Sequence, residues 1–258
     1  MKQNREQELL SRLAVVQKLT LWEAMELLHI SESTARRMFA KLEREGHAIR
    51  THGGIQATGS VMTRYSFEHG VRTNMEQKTA IARQAVRFLE DGDVVFCDSG
   101  TTMQCFCTAL IDRLRKDTLQ IRVYTNSLAN LELLAPHVQV HLVGGAYRTN
   151  RKDFCGYLTE QALSGLYFTK SFVGADGCIG TRFTTTDFDT AKMNQIAMQN
   201  SDQTFMLVDS SKFGNASHVA YARAELLHTI VTDTGLRAEV REQLQKGGAR
   251  LVCVEYEL

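Results

Sequence analysis

Five small polar clusters punctuate the second half of the chain, each following a short apolar run: Asp98-Ser-Gly-Thr-Thr102, Thr125-Asn-Ser127, Gly144-Gly145, Gly174-Ala-Asp-Gly177 and Asp209-Ser-Ser-Lys-Phe-Gly214. In the first, Gly100 lets the backbone bend closely, and Thr101 and Thr102 offer hydroxyls beside the free amides of a helix start. That combination is an anion cradle suited to a phosphate; taken alone it also fits an ordinary turn with threonine caps. Lys212 supplies a point charge, while Asp176 and Asn126 suit sugar hydroxyls. Asp98, Ser99, Gly100, Thr101, Thr102, Asn126, Ser127, Gly144, Gly145, Asp176 and Lys212 together form the expected site for a small, polyhydroxylated, phosphorylated ligand. The bland readings are a solvated Lys212 and an Asp176 that merely forms a turn.

A second chemistry lies near the start. Residues 36–50 carry Arg36, Arg37, Lys41, Arg44 and Arg50 against Glu43 and Glu45, a local +3 in a chain whose formal net charge is +1. Ala35, Met38, Phe39 and Leu42 fall at helical spacing and predict one apolar face. At 100° per residue Ser33, Arg36, Arg37 and Arg44 gather opposite, with Lys41 flanking them. Ser31 is the expected N-cap and Gly46 the residue just past the helix end. With Thr34, and with Arg50 and His52 on a following wing, these residues form the expected contacts to double-stranded DNA. A small helical oligomerisation module is the alternative.

Stepping outward, the elements that must hold these groups follow from periodicity. Residues 4–16 (Leu9, Leu10, Leu13, Val16) and 21–28, capped by Thr20, predict two helices before the cationic one; Ile49–Ile55 is the wing, and Trp22 is expected in the core. Thus residues 1–57 read as a winged helix-turn-helix, 58–74 as a hinge docked by Tyr65 and Phe67, and 75–258 as an α/β domain. There, helices over 75–89 and 102–115, one after Ser127 that stops near Pro136, and others over 187–200 and 236–245 alternate with strands near 94–97, 121–124, 139–143, 171–173, 204–208, 228–231 and 250–254. Strand, polar turn and helix in repetition predict a mostly parallel sheet with helices on both faces. Ligands bind beyond the carboxyl ends of such strands, where the five clusters fall.

At 258 residues the chain accommodates two modest domains. No apolar run approaches a membrane span, and Met1-Lys-Gln-Asn-Arg-Glu is too polar for a signal peptide, so a cytoplasmic protein is expected. The six cysteines lack C-x-x-C spacing, and Cys105-Phe-Cys107 reads better as buried thiols than as a metal or redox pair. Neither G-x-G-x-x-G nor G-x-x-x-x-G-K-[ST] occurs, the eight histidines show no metal spacing, and no cofactor is expected. His29 and His47 read as structural.

Ser31-Glu-Ser-Thr-Ala-Arg-Arg37, Leu42-Glu-Arg-Glu-Gly46, Arg50-Thr-His-Gly-Gly54 and the five polar clusters, with Ser210-Ser-Lys-Phe-Gly214 in the last, resemble the DeoR-type bacterial transcriptional regulators, in order, over nearly the whole chain. The resemblance implies a repressor of a carbohydrate operon, released from its operator by a phosphorylated sugar. It also implies a sensor domain similar in fold to ribose-5-phosphate isomerase and the CoA transferases. Paired reading heads on two-fold operators imply at least a dimer. The chain departs from the family where Ile and Asp are usual, at Ala35 and Met38, and where Glu and Lys are common, near Thr190 and Asn194; Asp187, Asp189 and Lys192 lie close by. The competing function is a sugar-phosphate isomerase with a regulatory head. It needs a general base, and Gly177 stands where the isomerase motif continues into an acidic residue.

Overall fold

The computed structural model describes residues 2–16, 18–44, 48–57, 67–248 and 250–256. The chain divides into two compact units, Met1–Arg64 and Tyr65–Leu258. Gly46, His47 and Tyr65, and residues 58–66 of the expected hinge, lie outside the described residues.

The first unit contains α1 (Lys2–Val16), β1 (Lys18–Thr20), α2 (Leu21–Leu28), α3 (Glu32–Arg44), β2 (Ala48–Thr51) and β3 (Gly54–Ala57). The wing is an antiparallel three-stranded sheet ordered β1-β3-β2; the sequence reading lacked β1. Leu9, Leu13, Ala24, Leu28, Phe39, Leu42 and Ile55 form a single core. Val16, expected inside, is exposed at the end of α1. Trp22 also corrects the sequence reading, because it is 72% exposed. It precedes Ala24 and Leu28, the buried residues of α2, by two and six positions, which at 100° per residue puts it on the far side of the helix. α2 begins with a complete capping box: the Glu23 amide donates to Thr20 Oγ1, and the Thr20 amide donates to Glu23 Oε2 at 2.7 Å. His29 takes a left-handed conformation (φ 49°) as its C-cap and makes the turn into α3.

The second unit starts with α4 (Phe67–Gly70) and α5 (Met75–Ala85), the latter passing into a 3-10 turn where one long helix was predicted. β4 (Val94–Cys97), α6 (Thr101–Leu114), β5 (Arg122–Thr125), α7 (Leu128–Leu134) and β6 (Val140–Leu142) follow. Next come β7 (Ala146–Arg148), β8 (Asp153–Cys155), α8 (Tyr157–Ser164), β9 (Phe168–Gly174), β10 (Gly177–Ile179) and β11 (Arg182–Thr185). α9 (Phe188–Gln199), β12 (Ser201–Leu207), β13 (Val219–Arg223), β14 (Thr229–Asp233), α10 (Ala238–Lys246) and β15 (Leu251–Val254) complete it. The main sheet has seven strands in the order β15-β14-β12-β9-β4-β5-β6, all parallel, so the domain is α/β as expected. Unpredicted additions are the β7–β8 hairpin, α8 and the antiparallel β10-β11-β13 sheet.

Both faces of the main sheet are covered, and alternate residues serve each. Val95, Cys97, Phe172, Phe205, Leu207 and Val231 pack against α5 and α6, whereas Phe96, Val173, Met206 and Ile230 face the opposite layer. Phe106 on α6 stacks on Phe172 at 4.4 Å between centroids, and Phe172 on Phe205 at 4.8 Å. Each such pair contributes about 0.5–1.5 kcal/mol beyond area burial, which fixes α6 with its N-terminus at the carboxyl edge. Cys105 and Cys107 belong to this core; burial pushes the Cys107 thiol well up, and the six cysteines are unpaired. Among the described residues no helix is long and apolar enough to cross a membrane.

The capping box yields a prediction. Thr20→Ala should lower the unfolding free energy of the first unit by about 1 kcal/mol, read by urea denaturation. Hydrogen bonds from the Thr20 amide and hydroxyl hold the Glu23 carboxyl below its ordinary value. The part of the wild-type advantage that comes from the Thr20 hydroxyl's bond to that carboxylate should be complete above the ordinary value and fade as pH falls through the lowered one, while the cap on the Glu23 amide persists.

Candidate nucleic-acid interface and effector site

In the first unit α3 presents the expected surface. Ala35, Phe39 and Leu42 are buried with Met38 half-buried, while Ser33, Arg36, Arg37 and Arg44 are exposed. The cations nevertheless fall into two groups. Arg36 Nε lies 2.7 Å from Glu32 Oε1, an exposed i,i+4 pair of small energetic weight. Lys41 Nζ lies 2.7 Å from Glu6 Oε2 and so ties α3 to α1. Arg50 donates through its amide (3.0 Å) and Nε (2.6 Å) to Glu43, and these bonds hold the Glu43 carboxyl below its usual range. They brace β2 against α3. Among the described residues Arg37 and Arg44 have no carboxylate partner. Ser31 immediately precedes α3, but its hydroxyl meets those of Ser33 (3.2 Å) and Thr34 (3.0 Å) instead of the expected first-turn amide. His52 is exposed between β2 and β3.

In the second unit the five clusters do fall at the carboxyl ends of β4, β5, β6, β9 and β12. Gly100 is the N-cap of α6 with an ordinary φ of −67° and open space around its Cα; it leaves room at the helix start without being required by the bend. Thr101 is buried, and its Oγ1 accepts from Lys78 Nζ at 3.0 Å. Thr102 is half-buried. Lys78, on α5, was not singled out in the sequence. Burial lowers its pKa, Asp209 opposes that shift, and Lys212 reinforces it, which places the two lysines within electrostatic reach of each other. Asp98 is buried and accepts from the Ser99 amide (2.6 Å), Asn194 Nδ2 (3.1 Å) and the Gly174 amide (3.3 Å). Burial pushes its carboxyl up against the lowering effect of those bonds.

Other expected residues are given structural work. Ser127 caps α7 by accepting from the Asn130 amide. Gly145 is needed for close packing, since a Cβ there would stand 2.1 Å from Thr159 Oγ1, while the Gly144 carbonyl accepts from that hydroxyl. Asn126 Nδ2 holds the Phe154 carbonyl. Asp176 Oδ2 accepts from Thr185, Thr186 and Arg151.

The residues missed by sequence reading form the densest network. Asp153, fully buried, accepts a bidentate fork from Arg148 Nε (2.8 Å) and Nη2 (2.7 Å), and a bond from Ser99 Oγ (2.7 Å). Arg148 also reaches Asp187 Oδ1 (2.8 Å) and Thr190 Oγ1 (2.9 Å). Arg151 pairs with Asp187 and Asp176, both at 3.2 Å. Burial would raise the Asp187 carboxyl; the Thr190 amide, Arg151 and Arg148 outweigh it and hold it low. The only visible signal was the charged run Arg148-Thr-Asn-Arg-Lys-Asp153. At the family's Glu and Lys positions, Thr190 joins this network and Asn194 bonds to Asp98; of the nearby candidates Asp187 joins too, whereas Asp189 and Lys192 are exposed. Three buried amide oxygens at this edge, Asn126 Oδ1, Asn130 Oδ1 and Asn194 Oδ1, have no donor.

Residues 5–61 match the family model for the DeoR-like helix-turn-helix domain, and residues 73–234 that for the DeoR C-terminal sensor domain. The chain belongs to the DeoR family. It is 31% identical to a lactose phosphotransferase system repressor of Streptococcus mutans over 82% of this chain and 84% of that one. It is 30% identical to the repressor of the same description from Lactococcus lactis subsp. lactis over 95% and 96%, respectively. A putative aga operon transcriptional repressor of Escherichia coli O157:H7 is 29% identical over 97% of this chain and 93% of that one. Among solved structures, a ribose 5-phosphate isomerase A from Methanocaldococcus jannaschii matches with 21% identity and a TM-score of 0.42 over 55% of each chain. This DeoR-family chain is thus a helix-turn-helix transcriptional regulator with a C-terminal sensor domain.

Two substitutions should separate reading from bracing. Arg37→Ala should weaken operator binding by about 1–3 kcal/mol in an electrophoretic shift while leaving unfolding unchanged. Lys41→Ala should instead lower the stability of the first unit. In the sensor domain, Arg148→Met should cost about 3–5 kcal/mol in urea unfolding at neutral pH, because it leaves the Asp153 carboxylate buried without its partner.

Proposed function

We propose that this regulator represses a carbohydrate-utilisation operon and is released from its operator by a phosphorylated sugar. Residues 1–57 read double-stranded operator DNA, 58–74 join the parts, and 75–258 sense the effector. The protein acts in the cytoplasm, as a dimer or larger homo-oligomer whose paired heads match a two-fold operator. The descriptions of its relatives as repressors of sugar systems support this reading.

The observation that carries the sensing half is the set of buried, donorless amide oxygens on Asn126, Asn130 and Asn194, at the sheet edge that also holds the α6 N-terminus. A buried acceptor without a donor is costly, and sugar hydroxyls are donors of the right size. The amides that begin α6, Thr101, Thr102, Lys78 and Lys212 suit the phosphate. Ser99 and Asp98 position that loop more than they touch ligand. For the reading half, Arg37 and Arg44 offer exposed guanidiniums with no carboxylate partner among the described residues, and Ser33, Thr34, Arg36, Arg50 and His52 flank them.

An isomerase reading fares worse. Proton abstraction needs a carboxylate after Asp176, and a Cβ at Gly177 would stand 2.5 Å from the Asn215 carbonyl, so no acidic side chain fits there. The protein is therefore proposed to bind without turnover.

A thermal-shift panel of pentose and hexose phosphates tests this. A ligand at 100 times its Kd adds about 2.7 kcal/mol of stability, and the same compound should release the operator. Thr101→Asp should retain operator binding and lose that release, because it places negative charge where the phosphate sits. A folded Thr101→Asp protein that still responds would move the phosphate elsewhere, and turnover of any panel member above the buffer rate would overturn the non-enzymatic reading.

A further inference from the structure

The first described stretch of the second unit, residues 67–74, is not a loose tether. Residues 67–74 are fastened at three points, and each fastening belongs to a loop at the carboxyl edge of the sensor sheet. First, Phe67 is buried, its amide donates to the Asn150 carbonyl (3.0 Å), and Lys152 bonds Glu68 (2.6 Å) while lying over the Phe67 ring. This binds the segment to the β7–β8 hairpin. Second, Asn74 Nδ2 donates to Asp209 Oδ1 and Ser211 Oγ, both at 3.0 Å, beside Lys212. Third, Lys78, only 3% exposed, donates to the Gly70 carbonyl (2.7 Å) and to Thr101 Oγ1 (3.0 Å). Gly70 lies so close to α6 that a Cβ there would stand 2.9 Å from Thr101 Cγ2.

We propose that Lys78 is a positioning residue that passes effector occupancy to residues 67–74, and through them to the DNA-reading head. The inference rests on the sugar-phosphate reading above. An ammonium has three donors and no acceptor; Lys78 uses one on the connecting segment and one on the first residue of α6. An anion at the α6 N-terminus competes for that ammonium and for the Thr101 hydroxyl. Either exchange alters the Lys78 bridge between Thr101 and Gly70, and the contact is too tight for one side to move without the other. Asn74 repeats the arrangement at the Asp209–Lys212 loop. Occupancy and the geometry of the segment are therefore one equilibrium, and ligand shifts it by its differential affinity for the two states.

Hydrogen exchange on the full-length protein, with inorganic phosphate and with each sugar phosphate of the panel, tests this. A phosphate compound that raises the melting temperature of both the wild type and Lys78→Met should change amide exchange across residues 67–74 in the wild type and leave it unchanged in Lys78→Met. Asn74→Gly, which keeps the left-handed backbone (φ 53°) and removes the amide bonds, should bind operator DNA as the wild type does without effector. It should keep its thermal shift and lose most of the effector's effect on operator affinity, which for coupled sites is about 5–150-fold. A stabilising compound that leaves exchange over 67–74 unaltered in the wild type, or an Asn74→Gly protein that releases DNA normally, refutes the relay while the effector reading stands. No stabilisation by any compound removes the effector reading and the relay with it.

Discussion

The bidentate bond between Arg148 and the fully buried Asp153 is the join on which the sensor site depends. A carboxylate removed from water has to be compensated by charge and hydrogen bonds. Here the compensation comes from a different loop on each side: Ser99 from the α6 start, Arg148 from β7, and through Arg148 both Asp187 and Thr190 at the start of α9. Arg151 extends the chain of charges to Asp176 after β9. One buried charge thus commits four separate loops to a single arrangement. The guanidinium fork makes that arrangement geometrically specific in a way a point charge would not.

The sheet beneath supplies the reason those loops meet. Seven parallel strands put every strand-end loop on one edge, and the Phe106–Phe172–Phe205 stack holds α6 so that its N-terminus opens there. The α6 N-terminus, the Thr101 and Thr102 hydroxyls and Lys78 lie at that edge, and in the proposed reading they favour an anion. Of the acidic groups nearby, Asp153, Asp176 and Asp187 are engaged by arginines, whereas Asp98 and Asp209 accept from amides and from Asn194 and Asn74.

The first unit sorts its cations by the same rule. Lys41 and Arg50 face carboxylates that hold α1 and β2 against α3, and their charge goes into construction. Arg37 and Arg44 face outward without partners among the described residues, and can meet phosphates or base edges at no cost in broken ion pairs. Composition alone counts all five basic residues of that stretch alike.

Periodicity in the chain determined most of the elements: the apolar spacing of α3, the capping box at Thr20, and the strand–turn–helix rhythm that dictates a parallel sheet, with polar clusters at its carboxyl edge. These are local properties, set by residues within a few positions of one another. The tertiary structure decided which of those residues are free. Ser127 and Gly145, expected at the ligand, serve as a cap and a packing contact, a duty that their spacing does not show. Trp22 turns outward because its helix offers the core another face. Lys78, Arg148, Arg151 and Asp153 gain their roles from partners 23 to 54 residues away, apart from the Arg148–Asp153 and Lys78–Gly70 bonds. No spacing rule encodes such pairings, because they exist only once the sheet has brought its loops together and taken their charges out of water.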